Sequence, residues 1–136
     1  MKIIAMVPAR MGSKRVKSKN LRFLDGKPLI EHVLETLSGV KVFDEIYINS
    51  EDEIFSEIAD RYGISYYNRP DFLSSDEATN DEFAHEFLSN IDCDILIQVL
   101  PTSPFITKKE IESFVDKMIS DDLDTLVSVE YQQIAC

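Results

Sequence analysis

Short apolar runs alternate with helix-periodic segments along the whole chain. Lys2–Val7 (KIIAMV), Glu45–Asn49 (EIYIN), Ile64–Tyr67, Asp94–Val99 (DILIQV) and Thr125–Val129 (TLVSV) read as strands. Leu29, Ile30, Val33, Leu34 and Leu37 recur at helical spacing behind Pro28, which suits a first helical turn, and Gly39 ends that helix. Three S/T-x-x-E pairs, Ser50 with Glu53, Thr79 with Glu82 and Thr107 with Glu110, predict three further helix starts. In such a capping box each side chain bonds the other's free backbone amide, and each cap contributes ~1 kcal/mol. Gly63 supplies a left-handed stop for the helix that opens near Ser50.

This β-α-β-α order predicts an α/β domain with a mostly parallel open sheet of Rossmann type. The near-continuous apolar run DILIQV suits a strand buried by helices on both faces. The longest loops, Arg10–Leu24 and Asn68–Ala78, both leave strands at the carboxyl edge, where open α/β sheets bind ligands. The 136 residues amount to one domain, 1–136. The last strand has no closing helix after it, so the domain is expected to be incomplete at its C-terminus.

Charge sharpens the picture. The net charge is −11, yet Arg10–Arg22 (RMGSKRVKSKNLR) holds six of the fourteen basic side chains and no acid. A basic Gly/Ser loop on an acidic protein fits a pocket for a small polyanion, whereas a nucleic-acid surface needs basic character over a wider face. Gly12 lets successive amides turn toward an anion, Ser13 can donate its hydroxyl, and Arg10, Lys14, Arg15 and Lys19 can supply charge. Neither the Walker pattern nor G-x-G-x-x-G is present, which disfavours a P-loop enzyme and a dinucleotide dehydrogenase. No apolar run is long enough to span a bilayer or to serve as a signal peptide, so a cytoplasmic protein with no membrane partner is expected.

Other chemistry-bearing residues have plainer readings. Cys93 and Cys136 form neither a disulfide framework nor a metal-ligand spacing, and Cys93 reads as a small buried apolar residue. His32 and His85 sit inside helices as surface or boundary residues. Tyr62, Tyr66 and Tyr67 with Phe83 and Phe87 read as core-edge packing. The acids Glu51–Glu53 read as serving a helix N-terminus and solvation. Asp92/Asp94 and Asp121/Asp122/Asp124 fall near strand starts, the opposite edge from a ligand site, so no metal ligand is assigned.

Three segments carry a family resemblance. Val7-Pro8-Ala9-Arg10-Met11-Gly12-Ser13-Lys14-Arg15, followed by Lys19-Asn20, resembles the signature loop of the acylneuraminate cytidylyltransferases, the CMP-sialic acid synthetases. Arg69-Pro70-x-x-Leu73-x-Ser75-Asp76-x-Ala78 is similar to that family's second nucleotide loop, and Pro101-Thr102-Ser103-Pro104-Phe105 to its P-T-S-P segment. Together they span nearly the whole chain. The related Kdo enzymes also begin with P-A-R but typically carry Pro-Gly-Lys-Pro where this chain has Lys17-Ser18-Lys19-Asn20, which favours the sialate branch.

The resemblance implies a three-layer Rossmann-like nucleotidyltransferase fold. It implies transfer of CMP from CTP to the anomeric hydroxyl of an acidic nine-carbon sugar, with release of pyrophosphate. Arg10 and Lys19 would hold the triphosphate and stabilise charge on the leaving group. Ala9, Met11, Gly12, Ser13 and Lys14 would complete the cradle, while Asn20, Arg69 and Ser75 would contact ribose and cytosine. Thr102 and Ser103 would face the sugar. The family often has Gln directly before P-T-S-P; here that residue is Leu100, and Gln98 on the same strand face could take its place. Mg²⁺ is the implied cofactor, its aspartates expected outside this chain, and the full-length protein is expected to be a homodimer. Two alternatives stay open: a truncated or degenerate homologue that binds nucleotide without turnover, and a nucleotidyltransferase for another sugar.

Overall fold

The computed structural model describes residues 2–9, 23–24, 26–69, 80–101 and 106–121. Four parallel strands form its sheet: β1 (Ile3–Ala9), β4 (Glu45–Ser50), β5 (Ser65–Asn68) and β6 (Ile95–Gln98), in spatial order β5-β4-β1-β6. All seven residues of β1 are buried, as a central strand with both faces covered requires. A two-stranded antiparallel pair, β2 (Phe23–Leu24) and β3 (Lys27–Pro28), turns through Gly26 at φ 86°. The periodicity reading had no counterpart for it, because two-residue strands leave no alternation to read.

Helices cover both faces. The odd positions of β1 join Ile48, Ile95 and Ile97 in a core completed by α1 (Leu29–Ser38), α2 (Ile54–Tyr62) and α4 (Lys108–Ser120). The even positions Ile4 and Met6 face α3 (Asn80–Asn90), where Phe83 and Phe87 pack with Tyr47, Tyr67, Cys93 and Leu96. Phe87 meets Tyr47 and Tyr67 edge to face, at centroid distances of 5.2 and 4.9 Å. Cys93 is half-buried on this side, and burial, followed by the nearby Asp94 charge, pushes its thiol pKa up. That is the behaviour of a packing residue, not a nucleophile.

The helix ends divide the capping expectations. Thr107 and Glu110 form the full box: the Glu110 amide donates to Thr107 Oγ1 at 3.1 Å and the Thr107 amide to Glu110 Oε1 at 3.3 Å. The Ser50/Glu53 box does not form. Ser50 is still the last residue of β4, and α2 begins at Ile54. Ser50 Oγ instead accepts from the Asp52 amide, and Asp52 Oδ1 accepts from the Ile54 amide at 3.0 Å. Register held the serine in the sheet, so an aspartate serves the helix start. The Thr79 box and the Thr125–Val129 strand lie outside the described residues. Gly63 closes α2 at φ 65°, left-handed as expected, whereas Gly39 ends α1 with a right-handed φ of −87°.

The amino edge of the sheet is tied by carboxylates. Asp44 Oδ2 accepts from the Ile3 amide at 2.7 Å, and Asp94 Oδ2 from the Lys2 amide at 2.6 Å. Asp94 therefore works as a strand-entry anchor. On the outer side, buried Glu31 of α1 accepts from Arg61 at 3.0 Å and from the Tyr62 hydroxyl at 2.8 Å, joining α1 to α2.

Candidate functional site at the carboxyl edge of the sheet

The chain runs from β1 outward through β4 to β5, then returns to the other side of β1 as β6. That reversal places a topological switch point beyond the carboxyl ends of β1 and β6, where open α/β sheets bind ligands. Residues Arg10–Arg22 follow β1 directly, and Pro101 comes three residues after the end of β6. Two of the sequence-flagged segments thus leave the sheet beside the switch point, and the third, beginning at Arg69, follows β5.

The strand ends form a row. Ala9 pairs with Ser50, and Ser50 with Asn68. Ser50 and Asn68 are followed by Glu51 and Arg69, which pair across the sheet edge. Arg69 is buried at 1% exposure. Its amide donates to the Ser50 carbonyl at 3.0 Å, which extends the β4–β5 ladder by one rung. Its Nη2 donates to the Ala9 carbonyl at 3.1 Å and to Glu51 Oε2 at 2.9 Å. The guanidinium carbon lies 3.9 Å from the centroid of the Phe83 ring on α3. One side chain therefore joins the ends of β1, β4 and β5 to α3. A desolvated cation needs such partners: the carboxylate supplies charge, and the ring face adds cation–π attraction.

The flanking side chains respond to this charge pattern. The Tyr66 hydroxyl donates to the Ser50 carbonyl at 3.2 Å. Its pKa is raised, first by burial and then by the carboxylates of Asp52, Glu53 and Glu51, with Arg69 opposing them. On the α3 face, the Tyr67 hydroxyl donates to Glu86 Oε1 at 2.7 Å and accepts from Asn90 Nδ2 at 2.9 Å. Burial and that carboxylate push Tyr67 up to about 12.

Two carboxamides flank Met6 on the same face. Asn49, fully buried, donates from Nδ2 to the Met6 sulfur at 3.2 Å. Gln98 is the β6 register partner of Met6. Asn49 Oδ1 and Gln98 Oε1 are both buried without a hydrogen-bond partner. An unmet carbonyl near the carboxyl edge is an acceptor for an N–H or O–H group.

Of the expected site residues, Ala9, Arg69 and Gln98 fall within the described structure, all at or next to strand ends. Arg10, Met11, Gly12, Ser13, Lys14, Lys19, Asn20, Ser75, Thr102 and Ser103 lie outside the described residues. Asn49 and Glu51 were missed. Glu51 was read with Asp52 and Glu53 as a solvated helix-start acid; the structure corrects this, since Glu51 pairs with Arg69 and Asp52 serves the helix. The available signal was its position, first after a strand on the ligand edge. Among the described residues no group of three His, Cys, Asp or Glu side chains could hold a metal ion. No helix of the described residues is long and apolar enough to cross a membrane.

A family model for cytidylyltransferases matches residues 4–132. The chain belongs to the cytidylyltransferase family. It is 36% identical over 133 residues to an N-acylneuraminate cytidylyltransferase of Streptococcus agalactiae serotype V, covering 94% of this chain and 32% of that protein. It is 33% identical over 116 residues to an 8-amino-3,8-dideoxy-manno-octulosonate cytidylyltransferase of Shewanella frigidimarina, covering 85% of this chain and 46% of that protein. Among solved structures, a CMP:2-keto-3-deoxy-manno-octonic acid synthetase complexed with CTP superposes with a TM-score of 0.79 at 24% identity, over 90% of this chain and 49% of that one. This similarity establishes the α/β cytidylyltransferase fold. The chain spans about a third of the length of the acylneuraminate relative and about half that of the solved synthetase.

Proposed function

We propose that this cytidylyltransferase-family chain is the nucleotide-binding part of an enzyme that transfers CMP from CTP to the anomeric hydroxyl of a sialic-acid-like nonulosonate. The observation that carries the reading is the basic Arg10–Arg22 segment following Ala9 at the switch point of an acidic α/β domain. The acylneuraminate relative, at 36% identity over nearly the whole chain, supports the nonulosonate as acceptor.

In this reading, the anomeric oxygen attacks the α-phosphorus of CTP. One P–O bond forms, the bond to the bridging oxygen breaks, pyrophosphate leaves, and the hydroxyl proton goes to solvent. The chain needs no covalent role. Arg10 and Lys19 neutralise the triphosphate and the charge that grows on the leaving oxygen, and orientation supplies much of the rest. The amides and hydroxyl of Met11–Lys14 line the cradle, with Asn20 and Ser75 toward the nucleoside, while Arg69 braces the strand ends through Ala9 and Glu51. Gln98, with its unmet carbonyl, and Thr102 and Ser103 face the acceptor sugar.

A second reading has an eight-carbon octulosonate as acceptor. The Shewanella relative favours it, and Leu100, in the place where the sialate family often has Gln, leaves the acceptor open. Pyrophosphate release from CTP, measured with the whole protein and a panel of eight- and nine-carbon keto-sugar acids, decides between them. Release with a nonulosonate supports the first reading, release only with an octulosonate the second, and release with neither removes both.

A further inference from the structure

We propose that Glu51 is a positioning residue for the triphosphate, acting through Arg69 on the carbonyl of Ala9. The inference rests on the proposed CTP reading and deepens it. Ala9 is the last residue of β1, so its carbonyl orients the peptide that leads into Arg10. Arg69 Nη2 bonds that carbonyl at 3.1 Å and bonds Glu51 Oε2 at 2.9 Å with the same nitrogen. The shared nitrogen makes the two contacts interdependent: the carboxylate fixes the guanidinium, and the guanidinium fixes the exit of β1. Glu51 itself is set by β4, whose last residue, Ser50, is the register partner of Ala9. Phe83 supports the guanidinium with its ring 3.9 Å away, so the cation is held between α3 and the sheet edge.

A negative charge close to a triphosphate opposes binding through Coulomb repulsion. An acid held there beside a buried cation is explained by what it orders. This gives the test its sign. If Glu51 were only an acid near a polyanion site, its neutralisation would tighten CTP binding, all the more because Arg69 would be released toward the phosphates. If Glu51 positions the β1 exit, its neutralisation weakens binding, and does so chiefly through the β and γ phosphates.

The experiment is calorimetric titration of the chain with CTP and with CMP, for the wild type, Glu51→Gln and Glu51→Asp. Wild type is expected to bind CTP more tightly than CMP. Glu51→Gln is expected to bind CTP about tenfold more weakly, the scale of one charge-assisted hydrogen bond, with CMP changed less than about twofold. Glu51→Asp, which keeps the charge on a shorter arm, is expected to recover part of the CTP loss. Tighter CTP binding by Glu51→Gln would overturn the inference, as would equal losses for CTP and CMP, the mark of a purely structural role. If Glu51→Gln lacks a cooperative thermal melt, Glu51→Asp carries the comparison: a selective CTP loss supports the inference and parallel losses overturn it. A wild type that binds neither nucleotide, or both equally, removes the CTP reading itself.

Discussion

The guanidinium of Arg69 lies 3.1 Å from the carbonyl oxygen of Ala9, so the end of β5 holds the end of β1 across the intervening β4. The two residues are 60 apart in sequence and meet because Ser50 pairs with Ala9 on one side and Asn68 on the other. Replacing Arg69 by Met would leave the Glu51 carboxylate, 12% exposed, without this cation. The expected loss of stability is about 3–5 kcal/mol in urea titrations, the scale for breaking a buried charge pair. Lys117→Ala breaks an exposed i,i+4 pair with Asp121 and should change stability by less than about 0.5 kcal/mol. Similar losses for the two variants would mean that burial does not distinguish these pairs.

Alkaline pH should weaken the contact between α1 and α2. Burial and the Glu31 carboxylate raise Tyr62 from 10.0 to about 12. The folded state thus holds this proton more tightly than the unfolded chain does. Its contribution is complete below pH 10 and is lost as pH rises from there through about 12. Tyr67, also raised to about 12 by burial and Glu86, adds to the same window. Stability measured against pH should fall less steeply between pH 10 and 12 in the Tyr62→Phe/Tyr67→Phe double variant than in the wild type. Parallel slopes would contradict the assignment.

The two helix-ending glycines should part company. Gly63 has φ 65°, a region costly for a residue with a Cβ, so Gly63→Ala should destabilise by about 1–2 kcal/mol. Gly39 has φ −87°, and an added Cβ would meet only the flexible Lys108 side chain. Gly39→Ala should cost less than Gly63→Ala in thermal melts. The reverse order would refute the left-handed cap.

Caps offer a sharper contrast. Thr107→Ala removes the Oγ1 arm of a formed box, leaving the Thr107 amide to donate to Glu110, and should cost about 1 kcal/mol. Glu53, the N-cap residue of α2, makes no side-chain cap bond, so Glu53→Ala should cost less, with chemical denaturation of both variants as the measurement.

The four strands of the parallel sheet and α1 were legible because their apolar runs and periods separate a two-residue from a 3.6-residue repeat. Leu29 to Leu37 fell on the expected helix, and Gly63 on the expected stop. The Ser50 box was not legible, since the same S-x-x-E letters serve a strand end when register keeps the serine paired. At the site, the family resemblance singled out Ala9, Arg69 and Gln98, and the structure sets all three at or next to strand ends. The resemblance could not reveal that the Arg69 side chain reaches back to Ala9, because that contact depends on strand order. Glu51 stayed hidden for the same reason: its partner is eighteen residues away, on the neighbouring strand end. The Asn49 carbonyl was hidden because an unmet acceptor leaves no mark in the sequence.

Binding of CTP by this chain, measured by calorimetry beside ATP, GTP and UTP and repeated with Arg10→Ala and Lys27→Ala, addresses the proposed nucleotide site most directly. CTP should bind more tightly than the other three, and Arg10→Ala should weaken it far more than Lys27→Ala, whose side chain pairs with Glu35. Equal affinity for all four nucleotides, or equal losses in the two variants, would contradict a cytidine site built on the end of β1.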